Sequence, residues 1–221
     1  MKLGDFGTSY TKLFDLTGVA PEPTIVPTKD LPAGLQVDWA TGHNGKRYAS
    51  HYVNELIALA RGGEELIGRP DFLLLDCGSR DIKFIRYAGG RVKDMGWNAE
   101  CGASMGFTIE LLERYYNLDR QRMQVPTQTF SVTCGVLGMS DIFDAVIAGV
   151  EVSEAVARFV RGIALNAHRF AGEPDLVYLS GGLCDHPVFV QSFPCEVVPL
   201  GRFVLLSGLM ASARRQEPQT S

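Results

Sequence analysis

One eight-residue pattern occurs twice in this chain, and it constrains the fold more than any other feature. Asp5-Phe-Gly-Thr-Ser-Tyr-Thr-Lys12 and Asp76-Cys-Gly-Ser-Arg-Asp-Ile-Lys83 both read D-x-G-x-x-x-x-K. Each copy sits where a short apolar run meets a polar turn and the chain resumes as strand, with Met1 to Leu3 and Lys12 to Leu16 around the first. Phe72 to Leu75 and Ile82 to Tyr87 flank the second. That is a hairpin signature. In such a turn Gly7 or Gly78 lets the backbone approach a ligand, neighbouring N–H and hydroxyl groups donate, and Asp5 or Asp76 can hold a hydrated cation. Either copy alone reads equally as an ordinary Asp-x-Gly turn. Repetition of spacing, flanks and lysine favours a duplicated half-domain and two hairpins that clamp phosphate.

The remaining punctuation fits an α/β chain with mixed sheets. Val19 to Pro32 is Pro-rich and excludes regular helix, and Leu35 to Gly45 reads as strand and Gly-rich turn. Val53 to Ala60 has helical spacing and runs into Arg61-Gly62-Gly63, a helix stop. Thr108 to Tyr116, Ser140 to Ala148 and Ser153 to Phe170 are expected helices, with Leu176 to Leu179 a strand. Asp175-Leu-Val-Tyr-Leu-Ser-Gly-Gly-Leu183 carries a buried strand into Gly181-Gly182, where a flat ligand such as adenosine can lie against backbone. No P-loop occurs.

A chain of 221 residues, 46% hydrophobic and with a formal charge of −4, can bury one or two substantial cores. Its acidic balance and lack of a basic block argue against nucleic acid as the main partner. Lys2, Asp5 and Lys12 interrupt any signal-like start, and Val197 to Ala213 is too short to span a bilayer. A cytoplasmic protein without membrane partner is expected, whose cysteines are thiols or metal ligands.

Leu3 to Lys12, Ala40-Thr-Gly-His43, Glu55 to Gly62, Asp76 to Lys83, Asn98-Ala-Glu-Cys-Gly-Ala-Ser-Met-Gly106 and Thr133-Cys-Gly-Val-Leu-Gly-Met-Ser-Asp141 follow in order a known pattern. It resembles that of the BadF/BadG/BcrA/BcrD-type ATPases, within the actin, sugar kinase and Hsp70 ATPase superfamily. Those proteins are iron–sulfur activators of 2-hydroxyacyl-CoA dehydratases and ATPase subunits of benzoyl-CoA reductases. The resemblance implies an actin-like, ribonuclease H-like duplicated fold. Residues 1–70 would form a shortened first half-domain, and residues 71–221 a second that carries the cysteines and adenosine motif.

The same resemblance implies site roles. Asp5 and Asp76 would hold Mg²⁺ through water, and Thr8, Ser9, Lys12, Ser79 and Lys83 would face phosphates in the Gly7 and Gly78 turns. Gly181 and Gly182 would flank the adenosine of ATP or ADP, and Asp81 or Glu55 would polarise the attacking water. Cys101 and Cys134 precede expected helices, where the helix dipole favours an anionic thiolate. Singly, each reads as a small buried hydrophobe. In the family that this chain resembles, cysteines at these positions of two identical subunits hold one shared [4Fe–4S] cluster. The implied protein is then an anaerobic homodimer that takes an electron from a ferredoxin- or flavodoxin-like donor. It passes that electron, gated by ATP, to a reducible metalloenzyme partner. Three departures stand out: a short Pro-rich connection after the first hairpin, Ser79-Arg80 where Gly and Gln are usual, and Cys184-Asp185-His186 in place of the usual continuation of the adenosine motif. A small-molecule kinase of the same superfamily, or a nucleotide-binding regulator without hydrolysis, are the competing readings.

Overall fold

The structure, a computed structural model, describes residues 1–18, 20–98 and 105–216. Ten strands and six α-helices follow one another among these residues: β1 (Lys2–Phe6), β2 (Tyr10–Asp15), β3 (Thr24–Pro27), β4 (Val37–Gly42), β5 (Ala49–Tyr52), α1 (Glu55–Ile67), β6 (Phe72–Cys77), β7 (Ile82–Ala88), β8 (Arg91–Asn98), α2 (Met105–Tyr115), α3 (Gly135–Ile147), α4 (Val152–Phe170), β9 (Leu176–Ser180), α5 (Pro187–Gln191), β10 (Glu196–Gly201) and α6 (Val204–Gln216). They build two five-stranded sheets, ordered β3-β2-β1-β4-β5 and β10-β9-β6-β7-β8. Both are mixed. β1 pairs antiparallel with β2 and parallel with β4, and β9 pairs parallel with β6 and β10.

The chain divides into two compact units. One comprises Met1–Phe72, Ile85–Met95 and the chain from Arg202; the other comprises Leu73–Phe84 and Gly96–Gly201. The sequence reading placed the C-terminal segment in the second half-domain, yet α6 packs on α1, β1, β2 and β4 of the first unit. Its approach to α1 also explains why Arg61-Gly62-Gly63 does not stop that helix. A Cβ on Gly62 would lie 2.1 Å from the Val204 carbonyl oxygen, and one on Gly208 would lie 1.8 Å from that of Ala58. These glycines bring two helix backbones together instead of breaking one. The true end is Gly68, in the left-handed region, while Asn54 caps the start by accepting from the Leu56 N–H.

In the second unit β6 (Phe-Leu-Leu-Leu-Asp-Cys) is buried along its whole length, as a central strand covered on both faces must be. Leu73, Leu75 and Cys77 belong to a core with Phe159, Val160 and Ile163 of α4. The first unit has a smaller core around Phe6, Val37 and Ala40, with Phe6 stacked on Tyr48 at 4.3 Å. The Pro-rich stretch supplies edge strand β3 and a 3₁₀ turn at Thr28–Asp30, consistent with the exclusion of regular helix. Among the described residues no helix is long and apolar enough to cross a membrane.

Candidate functional site

Both repeats of the eight-residue pattern form β-hairpins, β1–β2 and β6–β7, and each aspartate lies near the end of the first strand. In the first unit the registers Asp5↔Lys12 and Asp5↔Thr41 set three polar residues in one row across β2, β1 and β4. Lys12 Nζ donates to Asp5 Oδ2 at 2.8 Å, with the carboxylate almost wholly buried. Thr41 is fully buried, and its Oγ1 has no hydrogen-bond partner among the described residues; Ser9 Oγ in the turn is in the same state. A buried hydroxyl left unbonded costs roughly 1–3 kcal/mol, so two at one hairpin mark a place fitted to a polar ligand. The turn itself is held from the start of the 3₁₀ turn that follows β3, because Thr28 N–H donates to the Ser9 carbonyl and Thr28 Oγ1 to that of Gly7.

The second unit repeats this arrangement with a change of wiring. Asp76 pairs in register with Ser180, as Asp5 does with Thr41, and Ser180 Oγ donates to Asp76 Oδ1 at 2.7 Å. Lys83 is paired with a second aspartate of the motif. Its Nζ, 3% exposed, donates to Asp81 Oδ1 at 2.6 Å, while Trp97 Nε1 donates to Asp81 Oδ2 at 2.9 Å. The turn closes through Gly78 N–H on the Asp81 carbonyl. Cys77 next to Asp76 is fully buried, and burial pushes its thiol well up, with the neighbouring Asp76 carboxylate adding to the rise. It is a packed neutral thiol.

A glycine follows the hydroxyl residue in both units, for the same reason. Gly42 has φ +93° and Gly181 φ +95°. A Cβ on Gly42 would stand 2.4 Å from the Phe6 carbonyl oxygen, and one on Gly181 the same distance from that of Cys77. Phe6 and Cys77 are the residues directly after Asp5 and Asp76. Asp-x on one strand against Thr/Ser-Gly on the parallel neighbour is thus the duplicated device. The sequence signals were present in Ala40-Thr-Gly and Leu179-Ser-Gly, but sequence reasoning gave Thr41 no role and Ser180 only the start of the adenosine motif, not a contact with Asp76.

The other candidate residues are distributed as follows. Gly7 and Thr8 lie with Ser9 in the first turn and Ser79 with Gly78 in the second; Gly182 follows Gly181 beyond β9. Glu55, mostly buried, begins α1. Cys134 is the N-cap of α3, half-buried, with Sγ accepting from the Leu137 N–H at 3.4 Å. Such a sulfur, at a helix N-terminus, fits a soft-metal ligand and equally a capping thiol. Cys101 lies outside the described residues, and among those described no cluster of His, Cys, Asp or Glu could hold a metal ion. His186, two residues after Cys184, is buried as the N-cap of α5, with Nδ1 accepting from Phe189 N–H. Its Nε2 lies 3.1 Å from Glu113 Oε1 but out of hydrogen-bond alignment. Burial raises the Glu113 carboxyl, and the contacts with His186 and Arg120 outweigh that and hold it below the ordinary value.

No protein-family profile and no curated protein matches the sequence. Solved structures do. The activator of the 2-hydroxyisocaproyl-CoA dehydratase from Clostridium difficile, with bound ADPNP, aligns over 100% of this chain and 98% of its own, at TM-score 0.77 and 17% identity. Component A of the (R)-2-hydroxyglutaryl-CoA dehydratase from Acidaminococcus fermentans aligns over 96% and 95%, at TM-score 0.77 and 16% identity. An ethanolamine utilization protein from Carboxydothermus hydrogenoformans aligns over 95% and 88%, at TM-score 0.55 and 13% identity. The chain shares with these proteins a duplicated two-sheet α/β fold.

Proposed function

We propose that this chain is an ATP-dependent reductive activator: a homodimeric actin-like ATPase that passes single electrons to a metalloenzyme partner. The observation that carries the nucleotide part is the duplicated Asp-x against Thr/Ser-Gly device, with unbonded buried hydroxyls at Ser9 and Thr41. The compact units correspond, in this reading, to the two half-domains, with α6 returning to the first.

The first hairpin would act by exchange of partners. Lys12 now neutralises Asp5; an arriving phosphate draws Lys12 to itself, and Asp5 is then left to hold Mg²⁺ through water. Ser9 Oγ and Thr41 Oγ1 gain the partners they lack. At the second hairpin Ser79, Gly78 and Lys83 serve phosphate, Asp76 serves the hydrated cation, and Gly181-Gly182 lies along the adenosine. Electrostatic positioning of this kind suffices for phosphoryl chemistry without a covalent intermediate. Asp81 or Glu55 would polarise the attacking water; both Asp81 oxygens accept here, from Lys83 and Trp97.

For electron transfer, Cys134 and Cys101 are the ligands proposed here, two from each of two subunits. A [4Fe–4S] cluster, when bound, supplies a one-electron donor to the partner enzyme and is itself recharged by a ferredoxin- or flavodoxin-like protein. The helices that follow these cysteines present apolar side chains to solvent: Phe107, Leu111 and Tyr115 on α2, and Leu137, Phe143 and Ile147 on α3. Phe107, Leu111 and Tyr115 stand at i, i+4 and i+8 and form one stripe of α2, and Phe143 and Ile147 stand four apart on α3, as a subunit interface requires.

The deciding measurement is iron and acid-labile sulfide per chain, with molar mass by light scattering and ATP affinity, on protein purified without oxygen. About two irons and two sulfides per chain in a dimer is the expected result. An iron-free protein that binds ATP would favour the kinase or regulator reading. One that binds no ATP removes both parts of the proposal.

A further inference from the structure

We infer that Thr28 is a positioning residue for the first hairpin turn: its hydroxyl and its backbone N–H hold two carbonyls of that turn and so aim the turn's own donors at a ligand. The inference rests on the proposed reading, in which this turn receives nucleotide phosphates, and adds to it the residue that fixes the geometry with which they are met.

The turn lies past the strand pairing on one side and meets a proline on the other. The β1–β2 register ends at Phe6↔Thr11, which leaves Gly7, Thr8 and Ser9 beyond the end of β1. β2 pairs with β3 up to Tyr10↔Pro27, and proline has no N–H to offer. Thr28, the next residue, donates its N–H to the Ser9 carbonyl at 2.9 Å and its Oγ1 proton to the Gly7 carbonyl at 2.8 Å. One residue thus holds the carbonyls of both neighbours of Thr8. Thr11 Oγ1 lies 3.0 Å from Thr28 Oγ1. A hydroxyl has a single proton, and that of Thr28 is spent on Gly7, so Thr11 is the donor in this pair. Thr11 is fully buried, and its hydroxyl fixes Thr28 from within the sheet. All of these residues belong to the first unit.

Holding a carbonyl settles the direction of the donor in the same peptide. The C=O and N–H of a trans peptide point in opposite directions, so with the Gly7 oxygen turned to Thr28 the Thr8 N–H is aimed away from it. Without the Thr28 hydroxyl that peptide could rotate and present an oxygen, instead of an N–H, to an arriving anion. Ser9, whose Oγ is buried without a hydrogen-bond partner among the described residues, is held through its carbonyl by the same threonine. The short Pro-rich connection therefore acts as a brace, delivering Thr28 to the turn. Thr28 has no proton left for a ligand and acts through the turn alone.

The test uses the full chain with Mg²⁺ and a non-hydrolysable ATP analogue. Calorimetry gives the binding constant, NMR gives exchange of the Thr8 amide proton with and without saturating analogue, and urea unfolding gives the midpoint. Thr28→Val keeps the side-chain shape and the backbone N–H and loses the hydroxyl. It should bind the analogue about ten-fold more weakly, the change that one preorganising hydrogen bond supplies. Slowing of Thr8 exchange by the analogue, about ten-fold in wild type, should fall below about two-fold in this variant. Thr28→Ser, which restores the hydroxyl, should bind within about three-fold of wild type. Thr28→Val also strands the buried Thr11 hydroxyl and should lower the urea midpoint; the double variant Thr11→Val/Thr28→Val removes both hydroxyls and should regain the midpoint without regaining affinity. Affinity that returns with stability in the double variant overturns the inference, since Thr28 is then merely structural. So does wild-type affinity in Thr28→Val, or a Thr28→Ser chain that binds no tighter than Thr28→Val. Should Thr28→Val fold poorly, the double variant carries the same comparison with wild type. A wild-type chain that binds no analogue overturns the nucleotide reading and this inference with it, and is told apart because it is read before any variant is made.

Discussion

Gly181→Ala is the substitution that weighs the duplicated device most directly, with Gly201→Ala as its control. Both glycines lie in the second unit with positive φ, +95° and +84°. An L side chain in that region costs about 1–2 kcal/mol through its contact with the following carbonyl. They differ in what a Cβ would meet: nothing within 4 Å at Gly201, but at Gly181 the Cys77 oxygen at 2.4 Å, its carbonyl carbon at 2.7 Å and its nitrogen at 2.8 Å. Cys77 is backbone in a fully buried central strand, so β6 and β9 must part by several tenths of an ångström, an overpacking cost of about 1–3 kcal/mol. Gly201→Ala should therefore lose about 1–2 kcal/mol and Gly181→Ala about 2–5 kcal/mol. Urea unfolding followed by circular dichroism gives the difference, and amide exchange in peptides from β6 and β9 gives its location, since two units need not unfold together. Because Gly42 meets the Phe6 backbone at 2.4, 2.6 and 2.6 Å, Gly42→Ala should match Gly181→Ala in cost and appear in β1 and β4. Equal losses for Gly181→Ala and Gly201→Ala, or exchange changes away from β6 and β9, would refute the reasoning.

Thr41→Val removes a buried hydroxyl that has no partner, so stability in the absence of ligand should stay within about 1 kcal/mol of wild type while ATP affinity falls about ten-fold by calorimetry. Cys134→Ser exchanges one N-cap for a better one; α3 should keep its helicity, with stability within about 0.5 kcal/mol, while bound iron is lost. Glu113→Gln leaves His186 Nε2 and Arg120 facing a neutral amide and should cost about 1–3 kcal/mol at neutral pH. A carboxyl held below its unfolded value stabilises above that value and loses the contribution as pH falls through the folded one. The wild-type chain should thus weaken below the ordinary carboxyl value of 4.5, and Glu113→Gln should lack that component in acid unfolding curves. Gly208→Ala should destabilise the first unit by about 2–4 kcal/mol, because its Cβ would stand 1.8 Å from a carbonyl of α1, a conflict larger than the ~1 kcal/mol that alanine adds to helix propensity.

Local pattern carried much of this architecture. The hairpins, the helices α2, α3 and α4, and the strand entering Ser180 are legible because period and punctuation agree within each segment. What was not legible depends on partners distant in sequence. Gly62 reads as a helix stop until Val204 is known to lie against it, and α6 reads as part of the second half until its apolar face meets α1. Lys12 and Lys83 occupy the same letter of the same pattern, yet one pairs with the aspartate of its own motif and the other with Asp81. The difference lies in the turn: the first supplies Gly-Thr-Ser-Tyr and no carboxylate, whereas the second places Asp81 two residues before the lysine. In the second hairpin the buried ammonium has this second carboxylate at 2.6 Å, while Asp76 Oδ1 accepts from Ser180. The repeat therefore specifies two similar backbones with two different charge circuits. The first leaves its hydroxyls waiting and its lysine exchangeable. In the second, both oxygens of Asp81 accept, one from Lys83 and one from the Trp97 indole, so the hairpins cannot respond to one ligand in the same way.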